Sequence, residues 1–201
     1  MRTRMLAVIP LLLASVAGCG GSDDKVAPIP LFNLDFRGTF TGLPDTYAAA
    51  SGYAGRWVDV PPGTMNNLVD VGGQATTVSI TLAGRGDTFN PQTTTDSILL
   101  RDAVVNDSLL PPFTPFSATL TGLANGQYDV YYYFYGATSG LTVNGTAMNN
   151  LAGGSADALG AQGTNWDVTR GVSVTAGTLT ITDTSATDSN GLSGIQLVRV
   201  Q

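Results

Sequence analysis

The stretch that most limits what this chain can become is Gly126 to Gly136, GQYDVYYYFYG, in which five of eleven residues are tyrosine and another is Phe134. Aromatic residues at this density suit a pleated, half-buried surface and are far too rich for a loop, so the run predicts a central β-strand. Strand side chains alternate in direction. Tyr128, Val130, Tyr132 and Phe134 therefore share one face, and Asp129, Tyr131, Tyr133 and Tyr135 share the other. The even-numbered set reads as core. The odd-numbered set reads as an amphipathic row, either open to a ligand or covered by the long Gly38 to Gly55 loop.

Composition points the same way. Every one of the 15 acidic residues is aspartate, Lys25 is the single lysine, and histidine and glutamate do not occur. Charged helix formers are thus nearly missing while threonine, glycine, asparagine and aspartate abound, which predicts an all-β chain. Without histidine, no Ser-His-Asp or Cys-His catalytic arrangement and no ordinary His/Cys zinc site can be assembled. The net charge of −6 gives no electrostatic footprint for nucleic acid.

The amino terminus has the order of an export signal. Arg2 and Arg4 precede an apolar run from Met5 to Leu13, and small residues lead to Cys19 in Val16-Ala17-Gly18-Cys19. The apolar run is too short for a retained membrane span. This pattern resembles the bacterial lipobox, which implies a signal peptide over 1–18 and diacylglyceryl and acyl modification of Cys19. Several acyl chains on one residue meet the requirement for stable anchoring. Cys19 is the only cysteine, so no disulfide forms within the chain. Gly20 rather than aspartate follows it, which in Gram-negative sorting implies the outer membrane. Removal of 1–18 takes Arg2 and Arg4 away and shifts the net charge from −6 to −8.

Residues 19–31 read as a lipidated, flexible tether with Pro28 and Pro30, and 32–201 as one β-domain. Phe32 to Phe36 is the expected first strand. Thr76 to Leu82 alternates Val78, Ile80 and Leu82 with Thr77, Ser79 and Thr81, which predicts a half-buried strand with a hydroxyl-bearing outer face. Gly84 to Thr95 reads as polar loop, and Ser97 to Val105 as a buried strand or a strand entering a bend. Phe116 to Leu120 runs through Asn125-Gly126 into the tyrosine strand, and Asn144-Gly145 marks a tight hairpin. Loose chain over Asn149 to Thr164 precedes late strands at Trp166 to Val174, Thr178 to Thr182 and Leu192 to Val200. Around nine strands between turns of this kind predict a two-sheet antiparallel β-sandwich, with jelly-roll crossings.

Several pieces in order carry a family resemblance: Gly52-Tyr53-Ala54-Gly55-Arg56-Trp57, Thr76 to Leu82, Gln127-Tyr128-Asp129-Val130-Tyr131, Gly163-Thr164-Asn165-Trp166 and Asn190-Gly191-Leu192-Ser193-Gly194-Ile195. Together they resemble the galactose-binding-like jelly-roll domains of exported bacterial proteins, the fold shared by many carbohydrate-binding modules. Trp57-Val58 departs from a Trp-Asn pair usual there. The resemblance implies the fold, and sugar binding by analogy.

Sugar recognition needs flat apolar rings for pyranose C–H faces and planar polar groups for hydroxyl pairs. The candidates are Tyr53, Trp166, Asn165, Tyr131, Tyr133 and Tyr135, with Trp57 expected in the core. Calcium is the cofactor worth testing, through Asp183, Asp188 and Asn190 in the Asp183 to Gly191 loop or at Asp35, because hard oxygen donors suit it. An aspartate pair such as Asp102 and Asp167 is the one route to glycoside hydrolysis. The expectation is a non-catalytic envelope lipoprotein that binds glycan or acts in adhesion. A structural lipoprotein that binds an envelope protein is the first alternative, and an aspartate-dependent polysaccharide-active enzyme the second.

Overall fold

The computed structural model describes residues 28–36, 42–88, 94–105, 115–185 and 191–200. These form two antiparallel-dominated sheets that pack face to face as a β-sandwich. The tyrosine run is β8 (Gly126–Tyr135), and it lies in the seven-stranded sheet between β11 (Trp166–Val174) and β13 (Gly191–Arg199). On the far side of β13 come β1 (Ile29–Phe36) and β2 (Trp57–Val60), and the β1/β2 pair runs parallel. The short strands β5 (Arg85–Thr88) and β6 (Asp102–Val105) continue this sheet beside the first residues of β13.

The six-stranded sheet has the order β10-β9-β12-β7-β4-β3. Its strands are β3 (Gly63–Met65), β4 (Ser79–Ala83), β7 (Ser117–Thr121), β9 (Leu141–Val143), β10 (Thr146–Ala147) and β12 (Thr178–Asp183). The β9/β10 hairpin turns on Asn144 and Gly145 at φ 47° and 77°, the left-handed pair a two-residue turn demands. Between the sheets, Phe32, Leu34, Phe36, Tyr128, Val130, Tyr132 and Phe134 meet Ile80, Leu120, Val143, Leu179 and Ile181. The even-numbered tyrosine face is therefore core. A bulge between Leu192 and Gly194 keeps both Leu192 and Ile195 on that inner face, which an unbroken alternation would forbid.

Outside, the six-stranded sheet shows a grid of small side chains. Thr64, Thr81, Thr119 and Thr180 stand in one cross-strand row, and Ser79, Thr121 and Thr178 in the next. Ala83, Ser117, Thr182 and Thr142 form a third. The outer face of the seven-stranded sheet is instead covered by the loop through residues 42–55, by helix α1 (Thr95–Leu100) and by the loop through 151–165.

Three sequence expectations change. The first strand starts at Ile29, inside the stretch read as tether, because Ile29 and Pro30 already pair with Arg199 and Val198. Gly84 to Thr95 contains β5, which pairs with β6. Ser97 to Val105 divides into helix and strand. Thr94 Oγ1 accepts the Ser97 N–H at 3.0 Å while the Thr94 N–H reaches Ser97 Oγ at 2.8 Å, and this reciprocal capping starts α1 where the apolar run alone suggested strand.

Candidate functional site

The odd-numbered face of β8 divides along its length. Tyr133, 0 % exposed, packs with Leu43, Trp57, Leu99 and Leu100 in a second, smaller core beneath the cap. Trp57 meets its ring edge-on at 6.4 Å between centroids. The hydroxyl donates to Gln196 Oε1 and accepts from the Ala50 N–H at 3.1 Å. Gln196 Nε2 in turn reaches Asn33 Oδ1 at 2.9 Å and the carbonyls of Ala48 and Tyr53 at 3.2 Å each. Burial, set against the backbone donors of Ala50 and Ser51, pushes the Tyr133 pKa well up, so the ring stays neutral. A ring with no solvent-facing edge contacts no ligand, and Tyr133 leaves the candidate set.

The cap is tied down through α1. Tyr47 donates to Asp96 Oδ1 at 2.5 Å, and Asp96 Oδ2 accepts the Leu159 N–H at 2.9 Å. One carboxylate thus joins both covering loops. Arg101 pairs with Asp157 at 3.0 Å, and Thr94 Oγ1 donates to the Asp157 carbonyl at 2.7 Å. Asn165, 1 % exposed, spends its whole amide inside the 151–165 loop: Nδ2 donates to the Ser155 and Ala158 carbonyls at 2.8 and 2.9 Å, and Oδ1 accepts from Gly160. It shapes the loop and has no free edge for a sugar, so it too is removed from the binding set.

What stays open is the outer edge of this face. Trp166 lies opposite Tyr133 and Val168 opposite Tyr131, which makes Trp166 and Tyr131 diagonal neighbours on one face, about 7–8 Å apart. Both are half-buried against the cap. The indole is oriented by its Nε1–H, which donates to the Gly160 carbonyl at 2.8 Å. At the other end of Tyr131, the guanidinium of Arg170 lies near the tyrosine and pairs with Asp129 at 2.8 Å. Asp129 also accepts the Gly171 N–H at 3.0 Å, which pins the bulge between Thr169 and Val172. The result is a short aromatic shelf ending in a carboxylate and a guanidinium, with Arg170 65 % exposed.

Tyr53 is half-buried but sits elsewhere, over β1 and β13, where its carbonyl takes the Gln196 amide. Tyr135, also half-buried, is at the opposite end of β8 from Asp129, level with Gly191. The six expected residues therefore do not converge. Arg170 and Asp129 complete the shelf instead. The signal for them was present in the sequence, since Asp129 lies on the tyrosine face and Arg170 is one of few cations in an acidic chain.

Other candidates find different uses. Asp102 and Asp167 stand on β6 and β11 with β8 and β13 between them, three strand spacings or about 14 Å. Glycosidase carboxyl pairs need about 5–9.5 Å. Asp167 accepts from Gln162 and from Asn149 at 3.0 Å. Asp183 is buried and accepts the Ser185 N–H at 2.7 Å, and Asp35 is buried on β1 below the cap. No cluster of three or more metal-ligating side chains occurs among the described residues. Asp188, Asn190 and Cys19 lie outside the described residues. No helix among them is long and apolar enough to cross a membrane. A separate apolar cleft of about 210 Å³ opens at the start of β1, lined by Ile29, Leu31, Val78, Leu123 and Tyr128.

No protein-family model, curated protein or solved structure matches this chain.

Proposed function

We propose that this chain is a lipid-anchored, non-catalytic module of the bacterial envelope, and that its sandwich, a galactose-binding-like jelly roll, binds glycan at the Tyr131–Trp166 shelf. The observation that carries the reading is the pair of half-open rings, held in fixed orientation by the cap, beside the Arg170–Asp129 pair. Rings so held lose little freedom on binding, which favours a weakly polar ligand such as a sugar face. The carboxylate accepts and the guanidinium donates, so together they suit adjacent hydroxyl groups. The acylated Cys19 would supply the membrane attachment and Gly20 the outer-membrane address.

The test is retention of the full-length chain on gels carrying neutral polysaccharides. Trp166→Ala and Tyr131→Ala abolish retention, whereas Tyr53→Ala, away from the shelf, leaves it intact. Absence of retention on any polysaccharide, or equal loss with Tyr53→Ala, overturns the assignment. Cys19→Ala moves the protein out of the membrane fraction; continued membrane partition would refute the anchor.

A further inference from the structure

We infer that Arg170 makes the Tyr131–Trp166 shelf selective for glycans whose rings carry a carboxylate, that is, for uronate residues. The inference rests on the reading of the shelf as a glycan site and names the class of glycan it takes.

Strand geometry sets the arrangement. Trp166, Val168 and Arg170 alternate along β11, with Trp166 paired to Tyr133 and Val168 to Tyr131. All three therefore share the outer face, and four residues of strand put about 13 Å between the indole and the guanidinium positions. The bulge between Thr169 and Val172 then resets the alternation, with Gly171 at φ 65°, and returns Val172 and Val174 to the core. Asp129 holds this bulge through the Gly171 N–H at 3.0 Å. Arg170 thereby stays outside, beside Tyr131, while the chain after it goes inward.

The Asp129–Arg170 pair is unequal. Both carboxylate oxygens are bonded within the chain, Oδ1 to the Gly171 N–H and Oδ2 to Arg170 Nη1 at 2.8 Å, and the Asp129 side chain is 12 % exposed. Arg170 is 65 % exposed, so most of its N–H donors stay available to a ligand. At this end the shelf offers cationic donors lying in one plane. Such a plane meets a carboxylate with two parallel charge-assisted bonds, each about twice as strong as a bond between neutral groups. A uronate carboxyl is attached to a ring carbon and points away from the ring edge. A pyranose laid on Tyr131 can turn that group to Arg170 while its neighbour in the glycan meets Trp166.

The net charge of −6 does not prevent this contact. At physiological salt, charges farther apart than about 8 Å are largely screened, so the distant aspartates count for less than the guanidinium at the shelf. Asp129 also keeps the guanidinium in place, which lowers the freedom lost on binding.

Affinity electrophoresis of the full-length chain at neutral pH tests the assignment, in gels carrying polygalacturonate, alginate or the methyl ester of each. Esterification keeps the sugar ring and removes the charge. At least one acid form binds about tenfold more tightly than its ester. Arg170→Gln brings acid and ester level and changes the ester value far less. That variant leaves the Asp129 carboxylate without its cation, so Asp129→Asn is combined with it to remove both charges, and the double variant shows no preference either. Equal binding of acid and ester by the unmodified chain overturns the inference, as does a preference that survives Arg170→Gln or returns in the double variant. Retention on neutral polysaccharides that Trp166→Ala abolishes, without any preference for the acid forms, removes this inference and leaves the glycan reading standing. Absence of binding to every polysaccharide removes both.

Discussion

Tyr133 shows how one side chain can be spent entirely on structure. Its hydroxyl meets Gln196 and the Ala50 backbone, residues 63 and 83 positions away in sequence, and so joins β8, β13 and the cap at a single point. Tyr133→Phe keeps the ring but strands the Ala50 N–H and leaves Gln196 Oε1 with only the longer bond from the Ser51 N–H, at 3.3 Å. Leaving such groups unpaired costs about 1–3 kcal/mol. Denaturant titration should show that loss, while retention on glycan gels is unchanged because the ring is not on the shelf. The alternation that put Tyr133 beside Tyr131 and Tyr135 was legible from the sequence. Its burial was not, since burial depends on chain that returns from 83 positions away.

At the scale of elements, α1 is the cap's fastening. Six residues would not hold a helix alone, because nucleation is costly. The capping pair Thr94 and Ser97 starts it, and Leu99 and Leu100 seat it over β8 and β13. Thr94→Ala removes the acceptor for the Ser97 N–H and the donor to the Asp157 carbonyl together. A lost cap of this kind costs about 1 kcal/mol. Hydrogen exchange of the Leu159 amide, which rests on Asp96, should quicken in that variant. The sequence read this segment as strand because a short apolar run looks alike in either state. Capping decided it. The late strands and the Asn144-Gly145 hairpin were legible because turn chemistry is local and specific.

The molecule as a whole carries its tyrosines as a pH limit. Burial holds the Tyr132 pKa up to about 12, with Asp167 adding to the shift. Burial is also the main cause of the raised values of Tyr47, Tyr128 and Tyr133. An unfolded tyrosine ionises near pH 10. Below that, neutral rings favour neither state; above it, the unfolded chain loses protons that the folded chain keeps, so stability falls as pH rises. Tyrosinate absorbance during an alkaline titration should therefore lag for the buried rings and then appear in one cooperative step together with loss of the sandwich. Independent ionisation near pH 10 with the fold intact would contradict their burial.

By itself the sequence determined the all-β class, the core face of the tyrosine strand, the tight turns and the hydroxyl-bearing outer strands, because each follows from a period of two or from local backbone chemistry. Only the tertiary structure decided which faces are covered. It closed Tyr133 and Asn165, left Tyr131 and Trp166 open beside Arg170, and aligned threonines from separate strands into one uncovered grid. Coverage and register are contacts between residues far apart in the chain, and no local pattern carries them.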